Sequence, residues 1–383
     1  MELKEFFQPA GITLQRSIYG QLYNTLFINK DSQDFDFYAD YDLAIIGIQD
    51  LRESRYPGGD SNVQEIRKEF YRLHDHGFNL KVADFGNLIT GKDLSDTLFA
   101  IKIITTTLVQ KGVIPVFIGG GQHFTYPIYA AISELTQLTN LLVIDAMFDI
   151  GNEADENLNS SNFLSKIITH QPSSLFNYTN LGYQTYMVSS EELELMEKLN
   201  FDYIRVGLLR QNFADIEPYI RSAEIVSVDP LSIRNSDFQS SQQSPHGLHG
   251  EEFCQLMLFT GLSDNLKVLG FFETHNEQNC PQNNRLLAHG LWHVLLGLKN
   301  KIKEKPYQNR KNFQKYLVCF DIGELVFYKN KHSEKWWMEV KYPDKNEEIG
   351  NKTLLIPCSE SDYLMALNHE IPPRWLKFYN KII

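Results

Sequence analysis

The chain has 383 residues, with 36 Lys+Arg against 48 Asp+Glu and a formal charge of −12. Hydrophobic residues at 43% and charged residues at 22% exclude a disordered chain and predict a large core. The acidic balance, with no basic run of five or more, excludes a nucleic-acid footprint, which needs a basic face.

The amino-terminal MELKEFFQPAGITLQ puts charges and a proline where a signal peptide needs an apolar stretch. No apolar run approaches the roughly 18 residues that span a bilayer. Cys254, Cys280, Cys319 and Cys358 lie far apart and form no CxxC pair, as reduced thiols do. The expectation is a cytoplasmic globular protein without a membrane span.

From Tyr41 to Leu298, short apolar runs alternate with longer amphipathic ones. The runs are Asp42–Gln49, Leu80–Phe85, Val113–Gly120, Leu141–Ala146, Tyr183–Val188, Tyr203–Leu208, Glu224–Asp229 and Lys267–Glu273. Several are β-branched and apolar at consecutive positions, as strands buried on both faces are. Between them, Ser95 precedes a helical stretch that Gly112 closes, and Ser189 with Glu192 forms a capping-box signature. This alternation predicts a three-layer α/β/α sandwich with a mainly parallel sheet of about eight strands.

Residues 1–300 form the expected main domain, and residues 301–383 an appended β-rich extension packed on it. A charged stretch, residues 298–315, leads into apparent antiparallel strands joined by polar turns. A final helix is broken at Pro372-Pro373, and Trp336, Trp337 and Trp375 are placed in the extension's core.

In an open parallel sheet, ligands bind beyond the carboxyl ends of the strands. Three predicted strand ends carry polar residues that packing does not require. They read Gly119-Gly120-Gly121-Gln122-His123, Asp145-Ala146-Met147-Phe148-Asp149 and Ser227-Val228-Asp229-Pro230-Leu231. Taken singly, each aspartate is an ordinary cap, His123 an ordinary structural histidine and the glycines a turn. Their joint placement on strand ends points to a site.

At these residues the chain resembles the ureohydrolase superfamily of arginase, agmatinase and formimidoylglutamase, over roughly residues 40 to 300. Gly120-Gly121-Gln122-His123 resembles the family's GG-D-H, Asp145–Asp149 its D-A-H-x-D, and Ser227–Leu231 its S-x-D-x-D. Pro245-His246-Gly247-Leu248 resembles P-G-G-L, with Glu252 following. Glu273 resembles the glutamate of E-V-N-P, although Thr274-His275-Asn276 departs from that motif. The resemblance implies an arginase-like sandwich and two manganese ions held by two histidines and four aspartates.

Carried over position by position, His123, Asp145, Asp149 and Asp229 remain, whereas Met147 and Leu231 replace a histidine and an aspartate. The resemblance assigns both lost ligands to one ion, leaving one manganese ion or none. A thioether or leucine cannot replace those donors, and a two-metal site depends on both ions. Three converging aspartates repel unless a cation sits among them, and Arg234 is the candidate cation for the vacated position. Gln122 is a further pocket position, and Asp149 and Glu273 are the candidate catalytic groups, with Glu273 facing a substrate guanidinium as in the family.

Two functions fit. The first is a catalytically impaired ureohydrolase, a pseudoenzyme with a protein partner or a homo-oligomeric role. The alternative is a hydrolase of a linear amidine or guanidine C–N bond that works on a small amidine or guanidine ligand with one retained metal. Elsewhere, His289 and His293 stand at i and i+4 on a predicted helix without the glutamate of HExxH, and read as packing or surface residues. His74 and His76 read as solvated.

Overall fold

The computed structural model describes residues 2–14, 17–151, 157–242, 244–275, 280–304, 310–320, 323–343 and 351–382. Asn276 and part of the charged stretch, residues 305–309, lie outside them.

The main sheet contains β1 (Phe7–Gln8), β2 (Phe27–Ile28), β3 (Leu43–Gly47), β4 (Val82–Leu88), β5 (Ile114–Ile118), β6 (Thr139–Ile144), β7 (Leu175–Tyr183), β8 (Asp202–Arg205), β9 (Ile225–Val228) and β10 (Val268–Phe271). Its order is β1-β4-β3-β5-β10-β9-β6-β7-β8, with β2 also on β4. Every pairing is parallel except β1 on β4. Each residue of β3, β5, β9 and β10 is buried, which is why these strands read as apolar runs, interrupted only by Ser227 of β9.

The helices are α1 (Val63–Tyr71), α2 (Leu94–Gln110), α3 (Thr125–Leu135), α4 (Phe163–Ile168), α5 (Ser190–Lys198), α6 (Val206–Gln211), α7 (Glu217–Ser222), α8 (Gly250–Leu262), α9 (Pro281–Asn300), α10 (Glu360–Leu367) and α11 (Pro373–Ile382). Two apolar clusters flank the sheet, one including α1, α8 and α9 and the other α2, α3 and α4. Gly261 and Gly297 face each other, so α8 and α9 approach at backbone distance where any side chain would collide. Arg67 of α1 pairs with Asp84 of β4 at 2.8 Å in the interior, and the Tyr71 hydroxyl donates to the same carboxylate at 2.7 Å. No helix among the described residues is long and apolar enough to cross a membrane.

A second sheet, order β11-β12-β13-β14, is antiparallel: β11 (Phe313–Phe320), β12 (Gly323–Asn330), β13 (Trp336–Pro343) and β14 (Asn351–Cys358). Arg221 of α7 donates to the Trp336 carbonyl at 3.0 Å and lies 4.2 Å over the Trp337 ring. Arg374 of α11 donates to Ser222 at 2.7 Å and approaches Asp202 at 3.7 Å. Trp336 and Trp337 are buried, but Trp375 is half-buried and stacks on Tyr379.

Three local expectations shift. The apolar run Tyr183–Val188 is not a strand; the strand is Leu175–Tyr183, and a 3-10 turn follows at Thr185–Met187. Asn177, Thr179 and Asn180 hide it by making a buried strand look polar, but Asn177 donates to Asp202 and Asn180 to the Met147 carbonyl. Helix α2 begins before Ser95, with Asp93 as its cap in a box with Asp96. The run Tyr203–Leu208 is strand only to Arg205 before α6 begins. The Ser189–Glu192 capping box forms as the spacing predicts.

Candidate functional site

Strands β5, β10, β9 and β6 are neighbours, so their carboxyl ends open onto one cleft. Past β5, Gly119 and Gly120 take left-handed φ of 91° and 72° and turn the chain into Gln122 and His123. Asp145 follows β6, Asp229 follows β9 and Glu273 lies just past β10. Asp149 and Glu273 are held at φ of 56° and 49°, a costly conformation for residues with a Cβ that concentrates at functional sites.

A side-chain cation sits among these acids. Arg55, on the loop after β3, donates through Nη2 to both Asp149 oxygens at 2.7 and 2.9 Å. Its Nε donates to Asp229 at 3.1 Å, and Nη2 stands 3.9 Å from Asp145. The Arg55 side chain is only 10% exposed. Burial opposes its charge, but Asp149, Asp229, Asp145 and Glu273 hold the guanidinium well above its ordinary value.

The remaining carboxylate valences are also taken up by the chain. Asp229 accepts the Leu231 N–H at 2.7 Å, and Asp145 accepts the Met147 N–H at 3.2 Å. The side chain of Gln122, with its amide oriented by this network, donates to Asp145 at 2.9 Å and Asp149 at 3.1 Å. Glu273 accepts from the Gln122 N–H at 3.0 Å, the Ser160 hydroxyl at 2.5 Å and the Arg55 N–H at 3.1 Å.

One guanidinium does not neutralise four carboxyl groups. Burial, then the charges of Asp229 and Asp149, raise Asp145 well above the carboxylate range. Burial lifts Asp229 to about 6 against the pull of Arg55 and the Leu231 N–H. Burial and Asp229 lift Glu273 to about 7. The cluster therefore keeps protons near neutral pH.

His123 contacts a different group. Its Nδ1 lies 3.2 Å from the Ser160 hydroxyl. Because that hydroxyl donates to Glu273, Nδ1 carries the hydrogen and Nε2 is a bare lone pair. Nε2 is buried without a hydrogen-bond partner, and burial lowers the ring to about 4, so it is neutral.

Arg234 does not reach the cluster. Its main-chain N–H donates to the Leu248 carbonyl at 3.0 Å, and its guanidinium turns onto Asp237 at 3.0 Å. Asp237 in turn receives the Gly250 N–H at 2.8 Å. The arginine that fills the site is thus Arg55, which the sequence reading passed over. Arg52 lies three residues earlier and pairs with Asp50 at 2.6 Å, so residue type alone could not separate them. The usable signal was positional: the β3 loop opens at the same edge as the acidic strand ends.

The tail of β10 clasps that loop. The Thr274 hydroxyl donates to Asn62 at 2.8 Å, and Asn62 donates back to the Thr274 carbonyl at 2.8 Å. His275 packs edge-on against Tyr56 at 5.8 Å and rests on Gly59, where a Cβ would run into its ring. Tyr56 shares a 2.5 Å hydrogen bond with Ser240. Thr274 and His275, two of the residues that depart from E-V-N-P, are therefore the ones that hold the Arg55 loop. Above Arg55 opens a polar cavity of about 510 Å³ lined by residues including Ser54, Asn159 and Ser160.

Residues 41–229 match the sequence profile of the Arginase family. A mitochondrial agmatinase from Gallus gallus is 27% identical over 123 residues, covering 30% of this chain and 36% of that protein. The matched stretch thus spans about a third of that relative. Among solved structures, Trypanosoma cruzi formiminoglutamase with Mn2+2 superposes at a TM-score of 0.61 with 18% identity, covering 70% of this chain and 97% of that one. Formimidoylglutamase from Bacillus subtilis gives 0.66 and 17%, covering 78% and 98%. Agmatine ureohydrolase of Thermoplasma volcanium gives 0.58 and 17%, covering 77% and 97%. At these identities the structural likeness shows the fold. Together with the profile match across the acidic strand ends, that likeness supports the ureohydrolase superfamily, with residues 41–229 matching its Arginase family.

Proposed function

We propose that this chain is a degenerate ureohydrolase: an arginase-fold protein, impaired in hydrolysis, that serves a binding or structural role in the cytoplasm, with a protein partner or a second copy of itself. The observation that carries the reading is the Arg55 guanidinium, 2.7 Å from Asp149 and 3.1 Å from Asp229. It supplies in covalent form the positive charge that the resemblance assigns to metal ions.

The residues present do not fit a dinuclear manganese centre. Both Asp149 oxygens receive Arg55, Met147 and Leu231 offer no hard donor, and His123 Nδ1 is spent on Ser160. Among the described residues, no three His, Cys, Asp or Glu side chains are arranged to hold a metal ion. Glu273, the expected substrate-facing group, already accepts three donors from the chain itself. Nothing in that arrangement activates a water or leaves a carboxylate for a substrate guanidinium.

The test is metal analysis of the purified chain, followed by urea, ammonia and formamide release from agmatine, arginine and formimidoylglutamate with added Mn²⁺. The expected result is less than one manganese ion per chain and no release above background. Turnover that depends on Mn²⁺ and disappears in Asp229→Asn would overturn the reading. Light scattering and cross-linking check the partner half, and a monomer with no partner counts against it.

One observation favours the second reading, a hydrolase with one metal. The buried Nε2 of His123 is an unprotonated donor atom with no partner, as an unfilled ligand position is. If that reading holds, Arg55→Ala gains Mn²⁺ binding that His123→Ala abolishes.

A further inference from the structure

Four of the eleven histidines, His74, His76, His289 and His293, line one cavity of about 280 Å³ on the side of the molecule formed by α1 and α9. Helix α9 puts His289 and His293 one turn apart on the same face. The His293 Nδ1 lies 2.7 Å from the His289 carbonyl oxygen, which can only accept. Nδ1 therefore carries the hydrogen and Nε2 holds the lone pair. A ring fixed through one nitrogen by a backbone carbonyl, with the other left to donate, is the usual setting of a metal-bound imidazole.

The facing loop is pinned over this turn by α9 itself. The Trp292 indole N–H donates to the His74 carbonyl at 2.8 Å, and Lys299 donates to the His76 carbonyl at 2.9 Å. The rings form a continuous contact series: His74 to His76 at 6.3 Å, His76 to Trp292 at 5.7 Å, and Trp292 to His293 at 5.2 Å.

We propose that this cavity is a site for an imidazole-preferring divalent transition metal such as Zn²⁺, Ni²⁺ or Cu²⁺. His289 and His293 are the primary ligands, and His74 or His76 closes from the loop. Imidazole donors favour these ions over Mn²⁺, which prefers oxygen, so the site is chemically distinct from the acidic cleft. Among the described residues no three donors already stand together in metal-holding geometry. The site closes by rotation of His74, His76 and His289, which are exposed and change rotamer on the ps–ns timescale.

The full chain, stripped with chelator, is titrated calorimetrically with Ni²⁺ and Zn²⁺ at pH 7.5, and Trp292 emission is followed on adding Cu²⁺. One equivalent is expected to bind, unaffected by equimolar Mn²⁺. His289→Ala and His293→Ala should each weaken binding on the order of tenfold or more, as should the paired His74→Ala/His76→Ala. His332→Ala should change nothing. Trp292→Phe should remove the fast Cu²⁺ quench while leaving the stoichiometry at one. Retention of affinity in His293→Ala would overturn the site, and so would a loss shared equally by His332→Ala. Full affinity in the loop double variant would overturn the loop ligand in favour of a bare two-histidine helix. Circular dichroism of each variant separates ligand loss from misfolding.

Discussion

Glu273 accepts the main-chain N–H of Arg55 at 3.1 Å, so the group expected to face a substrate guanidinium instead anchors the loop that delivers an internal one. The two residues are 218 apart in sequence, and the contact joins the end of β10 to the loop after β3. The guanidinium of Arg55 then bridges Asp149 and Asp229. This makes Arg55 the residue on which the cleft depends.

Arg55→Ala is expected to cost about 3–5 kcal/mol, the range for removing one partner of a buried ion pair. Urea unfolding measures it. Arg55→Lys keeps the charge without the planar fork and should fall between parent and alanine variant. Millimolar methylguanidinium should restore part of the loss in Arg55→Ala only. An alanine variant as stable as the parent would mean the acids are satisfied without the arginine.

Rebuilding the lost ligands alone should not restore metal. Met147→His with Leu231→Asp adds two donors but leaves the guanidinium bonded to Asp149 and Asp229. The double variant is expected to bind no more Mn²⁺ than the parent, and adding Arg55→Ala is expected to raise binding. Equilibrium dialysis distinguishes the two. Metal uptake by the double variant would show that Arg55 moves aside readily.

The raised carboxyls also predict a direction for stability against pH. Glu273 rises from 4.5 to about 7 and Asp229 from 3.8 to about 6, so the folded state keeps protons that the unfolded chain releases. Their contribution is full below about pH 4 and is lost as pH rises through 6 to 7. His123 runs the other way: lowered from 6.5 to about 4, it contributes above pH 6.5 and is lost as pH falls through 4. Between pH 6.5 and 8 the carboxyl effect dominates, so the thermal midpoint should fall. Glu273→Gln should flatten that fall, and an equally steep decline in the variant would remove Glu273 as its source.

Asp202 offers a test at the other end of the molecule. Burial would raise this carboxyl, but Lys377, Arg374 and Lys381 hold it below its ordinary value. Asp202→Asn leaves Arg374 and Lys377 without their counter-charge and should destabilise by about 3–5 kcal/mol. In the parent this contribution is present above pH 4 and lost as pH falls below the depressed value. Urea unfolding at pH 7 and pH 3 should show a larger difference between parent and variant at the first than at the second.

Much of the architecture was legible because buried parallel strands are apolar at every position, as β3 and β5 are. β7 was not, since its asparagine amides find Thr179, Asp202 and the Met147 carbonyl only once the sheet is assembled. In the cleft, Asp145, Asp149 and Asp229 could be read from their spacing at strand ends, and the need for a cation from their charge. Which cation answers that need depends on loop geometry: Arg234 is diverted by Asp237, whereas Arg55 is fixed by Glu273. Gln122 also outdoes its neighbour, its amide reaching two aspartates while His123 turns to a serine.

β8 ends its side of the sheet, bonded among the described residues to β7 alone. Lys377 of α11 covers its start, donating to the Phe201 carbonyl at 2.8 Å and to Asp202 at 3.1 Å. A chain truncated before residue 373 would uncover this margin, and bare strand margins recruit other molecules through backbone pairing. Loss of α11 is therefore expected to favour self-association, whatever the cleft binds.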